Sequence, residues 1–266
     1  MSARAMWKAR IRFGDHDVPV KWYAAARDHA VRFRMLDEQS GRPVQQKMVG
    51  VESGEPVDRE RIRRGYAVAP DTYVLLSEEE LAELDPEPSR EVTVECFVAA
   101  SALRAPWIDR PYWLAPDGDA EAYHALAAAL AERNVCGIAR WVMRKRRYVG
   151  AVRAEGPYLM VSTLRRLGEV VPVDAIEAPS VSVDDKEAAL AEQLVEALAD
   201  DFDPTVFRDE HRARVAALIE DKVRGKKPKA KKRPRRKKET TSLEDTLQKS
   251  LAAAKKTTKR SGGEVG

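Results

Sequence analysis

The chain has 266 residues, 44% hydrophobic and 34% charged, which is length enough for a buried core, and no apolar run approaches bilayer length. The formal net charge of +4 hides an asymmetry: from Lys222 onward stand 17 Lys and Arg against 4 Asp and Glu, a surplus of thirteen, so Met1–Asp221 is nine negative. An acidic body holds a polyanion only where its cations cluster, whereas the tail seeks nucleic acid or another acidic surface by itself.

Along the chain, the first third reads mostly as strands. Met6–Phe13 alternates loosely, Val18–Tyr23 follows a polar Asp15-His16-Asp17 turn, and Ala30–Leu36 reads as a further strand. Gly41, Gly50 and Gly54 then punctuate a stretch with no sustained helical period. Thr72–Leu76 is a short strand, and Ser77-Glu78-Glu79-Glu80 a capping box opening a helix that stops before Pro86. Arg90–Val98 is the cleanest strand, with Val92, Val94, Cys96 and Val98 on one face. Trp107 and Tyr112-Trp113-Leu114 suggest another extended segment.

Asp119–Arg133 carries Ala122, Leu126 and Leu130 at helical spacing, with Asn134 or Gly137 to end it. Ile138–Met143, Tyr148–Arg153 and Tyr158–Thr163 follow as strands, the first two joined by Arg144–Arg147. A helix near Asp185–Ala199 carries an apolar stripe. Asp203-Pro204 reads as an N-cap and first helical position, opening a helix with Phe207, His211, Val215 and Leu218 on one face. After Gly225, Lys, Arg, Pro and Ala cannot bury enough apolar surface to offset the entropy of ordering, so a disordered tail is expected. The order favours a mixed α/β fold dominated by an antiparallel or mixed β-barrel, with a helical C-terminal arm.

Several chemistries are missing. There is no phosphate-binding glycine loop, His-Glu-x-x-His, Cys-x-x-Cys or Gly-x-Ser-x-Gly elbow. His16, His29, His124 and His211 are scattered, and Asp15-His16-Asp17 reads as a turn rather than a metal or catalytic cluster. Cys96 and Cys136 make no disulfide framework, and the N-terminus has no apolar signal region. No catalytic residue, metal site or cofactor is expected. A soluble, non-membrane protein of a reducing, cytoplasmic compartment is.

The cations form three groups. Arg140-Trp141-Val142-Met143-Arg144-Lys145-Arg146-Arg147 reads as a strand entering a hairpin. Arg140, Val142 and Arg144 then share one face while Trp141 and Met143 turn inward. Guanidinium groups two residues apart on a strand lie roughly 7 Å from each other, which suits successive phosphates. The second group is Arg32, Arg34, Arg42, Gln45, Gln46 and Lys47, then Arg59, Arg61, Arg63 and Arg64; Arg32 and Arg34 flank Phe33 and should project together from a strand. Either group reads equally as a solvated charged surface. The third is the tail. Lys226, Lys227, Lys229, Lys231, Lys232, Arg233, Arg235, Arg236, Lys237 and Lys238 place ten cations within thirteen residues, and such groups gain by releasing counterions from DNA. Thr241-Ser242-Leu243-Glu244 would cap a short helix that is marginal alone.

Trp7-Lys8, Phe13-Gly14 and Val18-Pro19-Val20-Lys21-Trp22-Tyr23 open a longer pattern. It continues through Val31-Arg32-Phe33, Gly54-Glu55-Pro56-Val57, Arg64-Gly65-Tyr66, Ser77-Glu78-Glu79-Glu80-Leu81 and Arg90-Glu91-Val92-Thr93-Val94. Then come Asp109–Pro116, Tyr123–Leu130, Leu159–Arg165 and Ala199-Asp200-Asp201-Phe202-Asp203-Pro204. In order and spacing this resembles bacterial Ku proteins over about residues 3–222.

The resemblance implies a homodimeric ring that binds double-stranded DNA ends without reading sequence, bridges them and recruits the ATP-dependent DNA ligase D for non-homologous end joining. Residues 1–180 would be the core barrel with a bridge at about 32–66, residues 181–222 the ligase-recruiting arm, and residues 223–266 the basic tail. Arg32, Arg34, Arg42, Gln45, Lys47, Arg63, Arg64, Arg140, Arg144, Lys145, Arg146 and Arg147 would face DNA; Phe202, Phe207, His211 and Val215 would face the ligase. Some relatives carry a cysteine pair near Val49–Gly54; this chain has none, so no zinc is expected at the bridge. The alternative is a general nucleoid-associated protein that binds mainly through its tail. A nuclease or nucleotidyltransferase would need an acidic metal triad or a lysine nucleophile motif that the sequence lacks.

Overall fold

Alternation of apolar and charged residues in β1 (Trp7–Phe13) and β2 (His16–Ala24) sends one set of side chains inward, so Ile11, Val18, Val20 and Trp22 are fully buried. A computed structural model describes residues 4–177, 182–225 and Ser250. The two strands pair antiparallel across a tight turn at Gly14, whose φ of 56° suits glycine. His16 and Asp17 therefore belong to β2, and the expected three-residue turn contracts to Gly14-Asp15. The chain divides into two units, Met1–His29 with Phe33–Ala175, and Ala30–Arg32 with Ile176–Gly266.

Between β2 and the next barrel strand lies a long insertion. It contains β3 (Arg64–Ala69) and β4 (Thr72–Leu76), paired only with each other among the described residues, and α1 (Glu78–Glu83). Ser77 and Glu80 close the expected capping box: the Glu80 amide donates to Ser77 Oγ at 3.1 Å and the Ser77 amide to Glu80 at 2.8 Å. No strand forms over Ala30–Leu36, contrary to expectation. Regular pairing there reduces to a single bridge, Leu36↔Pro43, across a turn held by Asp37, whose carboxylate accepts from the Ser40 amide at 2.9 Å. A strand without a partner strand leaves its amides to water, so β-propensity alone does not hold it.

The barrel resumes with β5 (Glu91–Ala99), β6 (Ile108–Pro116), α2 (Ala120–Arg133), β7 (Val135–Met143), β8 (Arg146–Glu155) and β9 (Tyr158–Leu164). The strands close in the order β1–β2–β6–β9–β8–β7–β5, all pairs antiparallel except the parallel closure of β5 on β1. A register shift between Val94 and Cys96 breaks the alternation of β5, so Cys96 is exposed rather than aligned with Val92 and Val94.

Trp22 centres the core, with ring centroids of Trp7 at 5.0 Å and Trp141 at 5.2 Å; Trp141 stacks on Tyr148 at 5.7 Å. The Trp141 ring lies over Gly150, where a β-carbon would stand 2.3 Å from the indole. Helix α2 starts at Asp119, whose carboxylate accepts from the Ala122 amide at 2.9 Å, and ends at Asn134 in the left-handed region. It buries Tyr123, Leu126, Ala127 and Leu130. The Tyr123 hydroxyl donates to the Leu114 carbonyl and accepts from the Leu159 amide, both at 2.7 Å, tying α2 to paired residues of β6 and β9.

In the second unit, α3 (Asp185–Ala197) and α4 (Glu210–Val223) bury no residue. Helix α4 starts at Asp209, so Phe207 lies before it and not on the face expected from the spacing. Asp203-Pro204 opens only a 3-10 turn, Pro204–Val206, and a second aspartate supplies the true cap, accepting from the Arg212 amide at 2.9 Å.

Candidate nucleic-acid interface

The β7–β8 hairpin carries the first cation group. Trp141 and Met143 point into the core and Arg140 is exposed, as the alternation predicts. The link between strands is shorter than expected, only Arg144-Lys145, because Met143 pairs with Arg146. Both linking residues have positive φ, 51° and 63°, the two-residue turn that favours Asn-Gly because it matches strand twist. Arg144 is therefore a turn residue and shares no strand face with Arg140, a correction to the sequence reading. Arg146 and Arg147 open β8 instead, and both are exposed.

Carboxylates stand beside several of these cations. Lys145 Nζ lies 2.8 Å from Asp85, just beyond α1, and this partner holds the ammonium protonated above the ordinary lysine range. Arg140 Nη2 lies 3.3 Å from Glu95. Three cations that sequence reasoning missed belong to the same unit: Arg10 and Arg12 on β1, and Arg166 just past β9, which donates to the Arg147 carbonyl at 3.2 Å. Their signal was present in Arg10-Ile11-Arg12, an i, i+2 pair flanking a core residue.

The second group is only partly brought together. Lys47, Arg63 and Arg64 line one cavity of about 700 Å³ with Met48, Val57 and Ile62. Arg63 donates to the Ile62 carbonyl at 3.1 Å, and Arg64 opens β3 opposite Leu76. Arg32, Arg34, Arg42 and Gln45 are exposed in irregular backbone, and because no strand forms over Ala30–Leu36 the shared strand face expected for Arg32 and Arg34 does not form. Arg59 and Arg61 form a 3-10 turn with Glu60.

In the second unit, Phe202 and Phe207 are 80% and 72% exposed and stack on each other with centroids 5.6 Å apart. His211 is exposed and Val215 half-buried on α4. The tail cations from Lys226 to Lys238, and Thr241–Glu244, lie outside the described residues. Among the described residues no three His, Cys, Asp or Glu side chains converge as metal ligands. No described helix is long and apolar enough to cross a membrane.

A family model described as the Ku70/Ku80 beta-barrel domain matches residues 12–195, from within β1 to within α3. The chain belongs to the Ku family. Non-homologous end joining protein Ku 2 of Geotalea uraniireducens (strain Rf4) is 35% identical over 255 residues, covering 94% of this chain and 99% of that protein. Non-homologous end joining protein Ku of Anaeromyxobacter sp. (strain K) is 35% identical over 257 residues, 96% of this chain and 87% of that one. That of Cereibacter sphaeroides (strain KD131 / KCTC 12085) is 32% identical over 265 residues, 98% and 99%. The Ku match thus spans the closed barrel, the insertion and the β7–β8 hairpin together.

Proposed function

We propose that this Ku-family chain binds the ends of double-stranded DNA in non-homologous end joining, as a homodimeric ring that acts without catalysis. The insertion carries the reading. From Ala24 to Leu75 no residue is buried, yet the segment holds exposed Phe33, Met35, Met48, Tyr66, Tyr73 and Leu75 beside its cations. Apolar surface on that scale is covered in a working protein, and a second copy supplies the same apolar and cationic surface. Two insertions meeting over two barrels enclose an aperture in which phosphates are held from several sides and bases are not read. Ends are then selected by threading.

The exposed Phe202–Phe207 pair, with His211 and Val215, is the proposed contact for the ATP-dependent DNA ligase D. The aromatic pair is the kind of anchor that dominates interfaces. The Lys/Arg tail adds sequence-independent attraction.

The test is retention on linear duplex against covalently closed circles of the same sequence, for the full chain and for the chain ending at Lys222. A ring retains linear DNA and leaves the circles, and it keeps this preference without the tail, with a shallower salt dependence. Equal salt-resistant retention on both forms refutes the ring. Loss of all binding with the tail favours the nucleoid-associated reading instead.

A further inference from the structure

Arg10 and Arg12 project outward from β1 on either side of buried Ile11. Arg12 Nη1 lies 3.3 and 3.4 Å from the two carboxylate oxygens of Glu91, and Arg10 Nη1 lies 3.5 Å from Asp17. The barrel closure sets Arg12 beside Thr93, and Thr93 opposite Arg140, so the row runs sideways across β1, β5 and β7 at roughly 4.8 Å per strand. Arg140, held by Glu95, then lines a groove of about 380 Å³ with Arg147 and Arg166. No ion pair joins Arg147 or Arg166 to a carboxylate among the described residues. Five guanidinium groups thus share one outer face of a body whose net charge is negative.

We infer that this face is a track for the phosphate backbone of duplex DNA, and that Asp17, Glu91 and Glu95 are competing acceptors on three of its arginines. The inference rests on the DNA-end reading and extends it from Arg140 and Arg147 to Arg10, Arg12 and Arg166, which lie outside the expected set. A carboxylate accepts from guanidinium in the geometry a phosphodiester uses, so Arg10, Arg12 and Arg140 exchange one acceptor for another and are never left bare. The net gain per phosphate is correspondingly small. A ring loaded on such a track is held and still slides, because the three paired arginines each hold a phosphate only weakly.

The experiment is a salt titration of full-chain binding to a linear duplex. The variants are Arg147→Gln with Arg166→Gln, Glu91→Gln, and Glu132→Gln on the exposed side of α2 as control; near-ultraviolet circular dichroism checks the fold. The double arginine variant loses about tenfold in affinity near 0.1 M salt, and its salt slope is shallower by about 2. Glu91→Gln, which frees a cation and disturbs no core residue, binds about threefold more tightly with a steeper slope, and Glu132→Gln changes nothing. Unchanged affinity and slope in the arginine variant overturns the track. Weaker or unchanged binding by Glu91→Gln overturns the competition. If the unaltered chain holds closed circles as well as linear DNA, the ring reading fails and the track falls with it; if it prefers ends and only the variants disagree, the ring stands and the track alone is lost.

Discussion

Replacing Arg144-Lys145 by Asn-Gly separates stability from DNA binding. Both residues hold positive φ in a two-residue hairpin turn, a conformation that costs an L-residue roughly 1–2 kcal/mol and glycine almost nothing. Relief at the two positions is worth roughly 2 kcal/mol. The greater freedom of glycine in the unfolded chain returns roughly 0.5–1 kcal/mol of that. The lost Lys145–Asp85 pair subtracts a little more, since the lysine is exposed and solvent-screened. That pair raises the lysine pKa, so its contribution is complete at neutral pH and is lost only as pH rises through the folded-state value. The net expectation is a gain of about 1 kcal/mol, a rise of about 2–4 °C in Tm for a chain of this size.

DNA binding moves the other way. Two cations leave the hairpin tip, so affinity for linear duplex falls about tenfold near 0.1 M salt and the salt slope becomes shallower by up to about 2. Thermal melting and a salt-titrated binding isotherm on the same preparation read both signs. Natural turn chemistry favours Asn-Gly here; the proposed phosphate role would account for cations in strained positions instead. Higher Tm with unchanged DNA affinity and slope would refute that explanation. A lower Tm would refute the strain argument itself.

Gly150→Ala drives a β-carbon to 2.3 Å from Trp141 and 2.6 Å from the Ser162 carbonyl oxygen. It should cost about 3 kcal/mol and about 6–12 °C in Tm by thermal melting, whereas Gly168→Ala, with open space around it, should melt like the parent. Tyr123→Phe strands the Leu114 carbonyl and Leu159 amide in the interior and should lower unfolding free energy in urea by about 1–3 kcal/mol. Asp117 accepts from Lys21 and Lys8 at 2.7 and 2.9 Å, and these bonds hold its carboxyl below the usual aspartate range. That stability is present above the unfolded-state pKa and lost as pH falls through the lower folded one; Asp117→Asn should flatten the acid limb of a Tm-against-pH curve.

What was legible in the sequence was whatever local pattern decides. Alternation placed Trp141 and Met143 inside and Arg140 outside, the Ser77 capping box and the Asp119 start of α2 were readable residue by residue, and of the two ends offered for α2, Asn134 and Gly137, the first is the one used. Ala30–Leu36 misled because β-propensity does not say whether a partner strand exists. Phe207 misled because helical spacing continued through Asp209, a stronger cap than Asp203-Pro204. The row that joins the β1 arginines to Arg140 of β7 across Thr93 was not legible, since the two strands are more than a hundred residues apart in sequence and are brought near only through the parallel closure of β5 on β1. Nor were the carboxylates beside them, which a charge count treats merely as subtraction.

Closure of the barrel also directs assembly. Seven strands bonded in a ring leave no open edge, so main-chain pairing with another chain cannot begin there. Among the described residues the open strand edges belong to β3 and β4, a two-stranded sheet whose Tyr66, Tyr73, Val74 and Leu75 are all exposed. Such a sheet is marginal by itself and gains most from a partner. The tendency to associate is thereby concentrated in the insertion, where the proposed ring would close, and the barrel face of the proposed phosphate track is left free of main-chain pairing.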